Sequence, residues 1–310
     1  MSDATRRPAP ETVPASGATA GIPRDVSLAR QPHIGRWITA IVIIAIVVWI
    51  VYSAAVNPNI SWEVVGHYLL NTNILEGLLV TLELAVIAQV LALIVGLVIA
   101  FFRLSNNPVL QAFSVAYLWL FRSTPILVLI LIAGNIALFI PRITIGVPFT
   151  DVVLIDANTN SVIPAFVAAV IALVLHDSAY DSEIIRSGIQ SVDTGQQEAA
   201  SALGLTWWQS QRKIVLPQAL RVMVPPLANQ FVTLLKSTAL VSVIGVTDLL
   251  TEAQNISANN LRTIELLLVA TVWFLVVTSL ASVGQRYLER RLGRGNAQQR
   301  RKTVVRAEQA

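Results

Sequence analysis

Ionisable side chains set within apolar sequence are the residues that could do chemistry here. The richest set is His176, Asp177, Tyr180, Asp181, Glu183 and Arg186, at the end of an apolar run that begins near residue 163. Helical spacing puts His176, Tyr180 and Glu183 on one face, and Asp177 with Asp181 on the adjoining one. Carboxylates so placed can neutralise the amino or guanidinium group of a solute, and Arg122, in an earlier run, can face a solute carboxylate. Structural ion pairing is the competing reading for the acids, with Glu183 bracing a following loop through Arg186. Lys236 lies about a dozen residues into a later run, where pairing and snorkelling are both open. Glu83 lies near the end of its run, so interface exposure and pore lining are both open.

No enzyme constellation accompanies these residues, and no catalytic residue is expected. Cysteine is absent, which removes thiolate ligands, disulfides and cysteine nucleophiles. His176 does not suggest a metal site, because His33 and His67 lie in other regions. Lys236-Ser237 follows leucines rather than the glycine-rich stretch of a phosphate loop, so the chain is not expected to hydrolyse ATP by itself.

The elements that position these groups are membrane spans. Hydrophobic residues make up 55% of the 310, charged residues 13%, and mean hydropathy is +0.66. A soluble domain carries about 25% charged residues, so this chain lacks the polar surface for a water-facing globule. Its apolar residues gather into runs of the roughly 20 residues that cross about 30 Å of hydrocarbon. Six spans are predicted, at 37–56, 78–102, 110–140, 163–184, 225–247 and 264–284. The third is too long for one straight crossing. Pro125 and the Gly134-Asn135 pair predict a kink, or a helix followed by a re-entrant stretch.

Residues 1–36, rich in Pro, Ala, Ser, Thr and Arg, read as a disordered tail. Asp3, Glu11 and Asp25 count against a transit peptide there. With the amino terminus inside, 18 of the 22 Lys and Arg residues fall on the cytoplasmic side, eight of them in 285–310. Both termini are therefore expected in the cytoplasm. The basic tails read as topology signals beside anionic lipid rather than as nucleic-acid footprints.

Between the fourth and fifth spans, residues 186–224 form a cytoplasmic stretch longer than a helix hairpin requires. Thr194-Gly-Gln-Gln197 has the capping-box pattern, and a helix is predicted from there to Gly204, a residue suited to a left-handed C-cap. Thr206-Trp-Trp-Gln209 repeats the pattern and starts a second helix, expected to stop at Pro217. An ordinary amphipathic surface hairpin is the alternative to a docking element.

Glu198-Ala199-Ala200, then Gly204, then Ile214 after nine intervening residues, then Leu216-Pro217 resemble the EAA loop of ABC importer permeases. In that family the loop is a coupling helix seated in a groove of the ATPase subunit. Arg122-Ser-Thr-Pro125 is similar to the family's Arg-Gly-Thr-Pro element. Ala179-Tyr180, Glu183-Ile-Ile-Arg186, Ile189-Gln-Ser-Val192, Ile214–Arg221 and Leu234–Ile244 look like the polar amino acid uptake branch. Departures are Ser123 where glycine is common, Asp181 in a usually uncharged slot, and Ser237 where an acid is often found.

The resemblance runs over 75–285, with 193–217 as coupling loop. It leaves 1–36 and 37–56 as an added tail and helix, and 286–310 as a basic cytoplasmic tail. It implies an all-α polytopic inner-membrane protein of a bacterium, with a five-helix permease core and one extra amino-terminal helix. It also implies a cytosolic ATPase dimer holding ATP and Mg, a second permease subunit (self or paralogue) and an extracytoplasmic amino-acid-binding protein. No cofactor is expected in this chain, and no nucleic-acid partner. Another small polar solute is the alternative cargo. The rival classes are a gradient-driven transporter, which predicts broken helices in paired positions, and a receptor or scaffold, which leaves the embedded acids unexplained. Gly204→Trp is expected to uncouple transport.

Overall fold

A computed structural model describes residues 34–146 and 153–307, so the reading of 1–33 as a tail lies outside the described residues. The chain divides into two units, Met1–Asn57 and Pro58–Ala310. The first contributes helix α1, Ile34–Ala55. It is apolar around its whole circumference, the pattern of a helix surrounded by hydrocarbon.

The second unit is built on long helices separated by polar caps. Helix α2 is Trp62–Leu69, and α3 runs Thr72–Leu104, 33 residues or about 50 Å. Asn71 caps α3 by accepting from Asn73 N. Asn107 does the same for Val109 N at the start of α4, Pro108–Ser123, where Pro108 supplies a preset φ. Helix α5, Ile126–Gly134, follows at 97° to α4. The predicted kink therefore falls at Pro125 rather than at Gly134-Asn135. Proline disfavours helical backbone in its predecessor, and Thr124 sits extended at φ −87°, ψ 127°.

Strands β1, Arg142–Gly146, and β2, Val153–Asn158, pair antiparallel with Arg142 opposite Asn158. This small hairpin was not legible as such in a chain expected to be all helical; its signal was three consecutive β-branched residues, Ile143, Thr144 and Ile145. Arg142 clamps Asp156 with two bonds of 2.9 and 2.8 Å. The hydrogen bond from Arg142 holds the Asp156 carboxyl below its ordinary range. The pair's contribution is thus present above the ordinary aspartate pKa and is lost as pH falls through the lowered one. Both groups are exposed, so water screens the pair. A small loss of hairpin amide protection, measured against the unstructured exchange rate at the same pH, is expected on acidification, and Arg142→Ala should abolish that loss.

After the one-turn helix α6, Thr159–Val162, come α7, Ala165–Gln190, and two short loop helices, α8, Thr194–Ala202, and α9, Trp207–Ser210. Then follow α10, Leu216–Ser237, continued by a 3₁₀ segment Thr238–Ile244, α11, Leu249–Asn260, and α12, Thr263–Ala307. Five helices of the described residues are long and apolar enough to cross a membrane, six spans if α4 and α5 count as one.

The helix that carries the predicted fifth span begins at Leu216, upstream of residue 225, with Pro225 and Pro226 inside it. One expectation is corrected: Pro217 does not end the second loop helix. A π turn over Gln211–Val215 leads straight into α10, with Leu216 N bonded to Gln211 O. Widening the turn relieves the clash between a proline ring and the carbonyl four residues back.

Packing is close where α7 meets α3 and α10. A Cβ on Gly96 of α3 would stand 3.0 Å from Asp181 Cβ, 3.1 Å from Ser178 O and 3.2 Å from Ser182 N, two of them backbone atoms of α7. Gly96→Val is therefore expected to cost about 1–3 kcal/mol through overpacking, read as a lower melting temperature in detergent. Below this seam, Ala100, Ile185, Val192, Val215, Ala219 and Met223 form one buried cluster that fastens the loop to α3, α7 and α10.

Candidate functional site

The two loop helices are set by local chemistry. Asp193, not Thr194, caps α8, its carboxylate accepting from Gly195 N at 2.7 Å. The expected Thr194 capping box is thus replaced by a cap one residue earlier, where aspartate outranks threonine. At the other end Gly204 adopts φ +74°. Leu205 N bonds to Ala200 O at 3.1 Å and Gly204 N to Ser201 O at 3.0 Å, the bond pair of a Schellman turn. The second capping box forms as predicted: Thr206 Oγ1 accepts from Gln209 N, and Gln209 Oε1 accepts from Thr206 N.

The result is a helix–turn–helix with a defined outer face. Ala200 is buried and anchors it, while Glu198, Ala199 and Gly204 are exposed. Leu203, Trp207 and Trp208 add large apolar surface, at 80%, 69% and 66% exposure. Ile214 is half-buried, and Leu216 and Pro217 are exposed where the loop enters α10. The tryptophans were read only as part of a cap; their exposure beside Gly204 makes them part of the face.

Within the spans, α3, α4 and α7 line an open cavity of about 470 Å³, with Arg103, Trp119, Arg122, Ser123, Tyr180 and Glu183 among its lining residues. Arg122 lies over the Tyr180 ring, 5.0 Å from its centroid, a cation–π arrangement. Tyr180 stacks in turn on His176 at 5.1 Å. Glu183 accepts two bonds from Arg186, at 3.0 and 2.7 Å. Arg122 has no ion pair among the described residues.

The predicted residues thus separate into two groups. Arg122, Tyr180 and Glu183 meet at the cavity, with His176 behind Tyr180. Asp177 and Asp181 do not line it. They are 2% and 0% exposed, and each accepts from a glutamine of a different helix: Gln230 Nε2 to Asp177 Oδ1 at 2.6 Å, and Gln89 Nε2 to Asp181 Oδ2 at 2.9 Å. His176 Nδ1 also lies 3.5 Å from Asp177 Oδ2. Lys236 is exposed on α10, and Glu83 lies on α3. Gln89, Gln230 and Arg103 were missed; polar side chains inside apolar runs were the available signal. No group of three or more His, Cys, Asp or Glu that could hold a metal occurs among the described residues.

Long apolar helices, a polar cavity between them and a capped helix pair in the loop between α7 and α10 define a multi-pass permease. A family model for binding-protein-dependent transport system inner membrane components matches residues 92–294. The chain belongs to that family. It is 37% identical to the arginine transport system permease protein of Corynebacterium glutamicum over 90% of this chain and 87% of that one. It is also 37% identical to the glutamate/aspartate import permease of Escherichia coli, over 70% of this chain and 92% of the relative. Among solved structures, an amino acid ABC transporter superposes with TM-score 0.61 at 35% identity, over 71% of this chain and 94% of that chain. The methionine transporter MetNI, at TM-score 0.53 and 19% identity, shares the fold.

Proposed function

We infer that this chain is the membrane-spanning subunit of an ATP-driven importer whose cargo is a polar amino acid. The observation that carries the reading is the cytoplasmic turn. Its glycine is left-handed, its apolar side chains are exposed, and it is fastened through one buried cluster to α3, α7 and α10. Relatives named for arginine, glutamate/aspartate and glutamine transport support the cargo class.

The loop, through Glu198, Ala199, Ala200, Gly204, Ile214, Leu216 and Pro217, docks on a cytosolic ATPase dimer that binds ATP and Mg; this chain holds no cofactor of its own and does not hydrolyse ATP. A second permease subunit completes the pathway, and an extracytoplasmic amino-acid-binding protein delivers the solute. Both termini face the cytoplasm. Closure of the ATPase dimer favours one of two permease states, and the differential affinity for those states is what biases the solute's access to alternate sides. Arg122, Tyr180 and Glu183, with His176 behind them, line the solute's path.

Tagging the full chain, extracting it gently from native membranes and identifying its companions by mass spectrometry tests this. A cytosolic ATPase that is present with the parent chain and absent after Glu198→Arg is expected. A permease that emerges without an ATPase, or keeps the same companions after the substitution, overturns the docking role.

A further inference from the structure

Asp177 and Asp181 are one helical turn apart on α7, both sealed from water, and they reach in different directions. Asp181 accepts from Gln89 of α3 and Asp177 from Gln230 of α10. The seam at Asp181 is closed by Gly96, whose missing side chain lets the α3 and α7 backbones approach. Tyr180 and Glu183, immediately beside these acids in sequence, face the cavity. A turn of α7 about its axis by one residue, about 100°, would break both bridges and carry Tyr180 away from Arg122.

We propose that Gln89–Asp181 and Gln230–Asp177 are positioning bridges that fix the rotation of α7 and so hold Tyr180 and Glu183 in the solute cavity. A single tether leaves a helix free to pivot, whereas two tethers to helices on different sides fix its rotation. Buried polar pairs inside a span face the bundle interior and satisfy one another there, as these do. Each bridge uses one carboxyl oxygen, and Asp181 Oδ1, Asp177 Oδ2 and Gln89 Oε1 are left buried without a hydrogen-bond partner. The α3 bridge therefore rests on a single amide donor, and an asparagine at 181 reproduces it: its carbonyl accepts from Gln89 Nε2, and its amide supplies a donor where the carboxylate has none. The transport part of the test rests on the importer reading above; the accessibility part does not.

The chain contains no cysteine, so a cysteine introduced at Tyr180 is a single reporter. In membranes holding the full chain, its labelling by a hydrophilic maleimide is compared across backgrounds. Gln89→Leu/Asp181→Leu removes the α3 bridge without leaving a lone buried acid, so the chain keeps its thermal stability. Gln230→Met, always combined with Asp177→Leu so that no lone buried acid remains, is the second, independent variant. Both are expected to slow labelling at position 180 at least fivefold and, with Tyr180 restored, to lower uptake at least tenfold in vesicles containing the ATPase and binding protein. Asp181→Asn is expected to stay within twofold of the parent in both assays. Parent-like labelling in the double-leucine variant and in Gln230→Met overturns the proposal. So does a loss of labelling in Asp181→Asn equal to theirs. Failure of the parent chain to take up any amino acid, with labelling changed as expected, overturns the importer reading and leaves the bridges standing.

Discussion

Gly204→Val is expected to reduce amino acid uptake about tenfold while leaving the permease in the membrane. Gly204 stands at φ +74°, and no atom lies within 4 Å of where its Cβ would be. The free chain has room for a side chain, so the penalty comes from the backbone. A β-branched residue in the left-handed region costs roughly 1–2 kcal/mol, and about 1.4 kcal/mol is a factor of ten in a population. The two bonds that close the turn, from Gly204 N and Leu205 N, would form in a minority of molecules, and Leu203, Trp207 and Trp208 would no longer share one face. Gly204→Asn separates this cause from simple crowding at a partner, because asparagine enters the left-handed region more readily. It is expected to keep most of the uptake, while Gly204→Trp combines strain with bulk and should lose nearly all. Uptake and ATPase co-purification measured on the three variants decide the matter. Equal loss in the asparagine and valine variants would point to contact rather than to turn geometry.

Much of this was legible in the chain because membranes simplify the code. A helix in hydrocarbon must satisfy its backbone internally, so long apolar runs gave the spans directly, and the kink followed from Pro125. The loop was legible for a different reason. Caps are local, and Thr206 with Gln209 closes a box that depends on four consecutive residues. Where two local candidates competed, the reading slipped by one residue, to Thr194 instead of Asp193. Pro217 was misjudged because proline's penalty depends on whether the turn around it can widen, which a single sequence does not reveal. The site was legible as a list but not as an arrangement. Periodicity put Asp177 and Asp181 on a face adjoining that of Tyr180 and Glu183. Only the neighbours Gln89 and Gln230, 92 and 53 residues distant in the chain, show that this face is turned into the bundle.

Arg122 is the group in the cavity whose loss should be felt most. Its guanidinium is carried on α4 just before the break at Pro125, is stacked over Tyr180, and has no carboxylate partner among the described residues. Glu183 is already engaged by Arg186, so the free charge nearest the ring is positive and suits a solute carboxylate. A hydrogen bond to a charged group contributes about 1.5–3 kcal/mol, which is roughly tenfold to more than a hundredfold in rate. Arg122→Leu is accordingly expected to lower uptake by that factor while the ATPase still co-purifies, since the α8–α9 loop is untouched. Arg122→Lys should recover only part of it, because an ammonium lacks both the planar stack on Tyr180 and the two-pronged grip on a carboxylate. Tyr180→Phe keeps a ring beneath the guanidinium and should remain within a few fold of the parent. Uptake of labelled amino acid into vesicles, compared across the three variants at matched permease content, provides the measurement. Parent-like uptake in Arg122→Leu would remove Arg122 from the path and leave its stack on Tyr180 as packing alone.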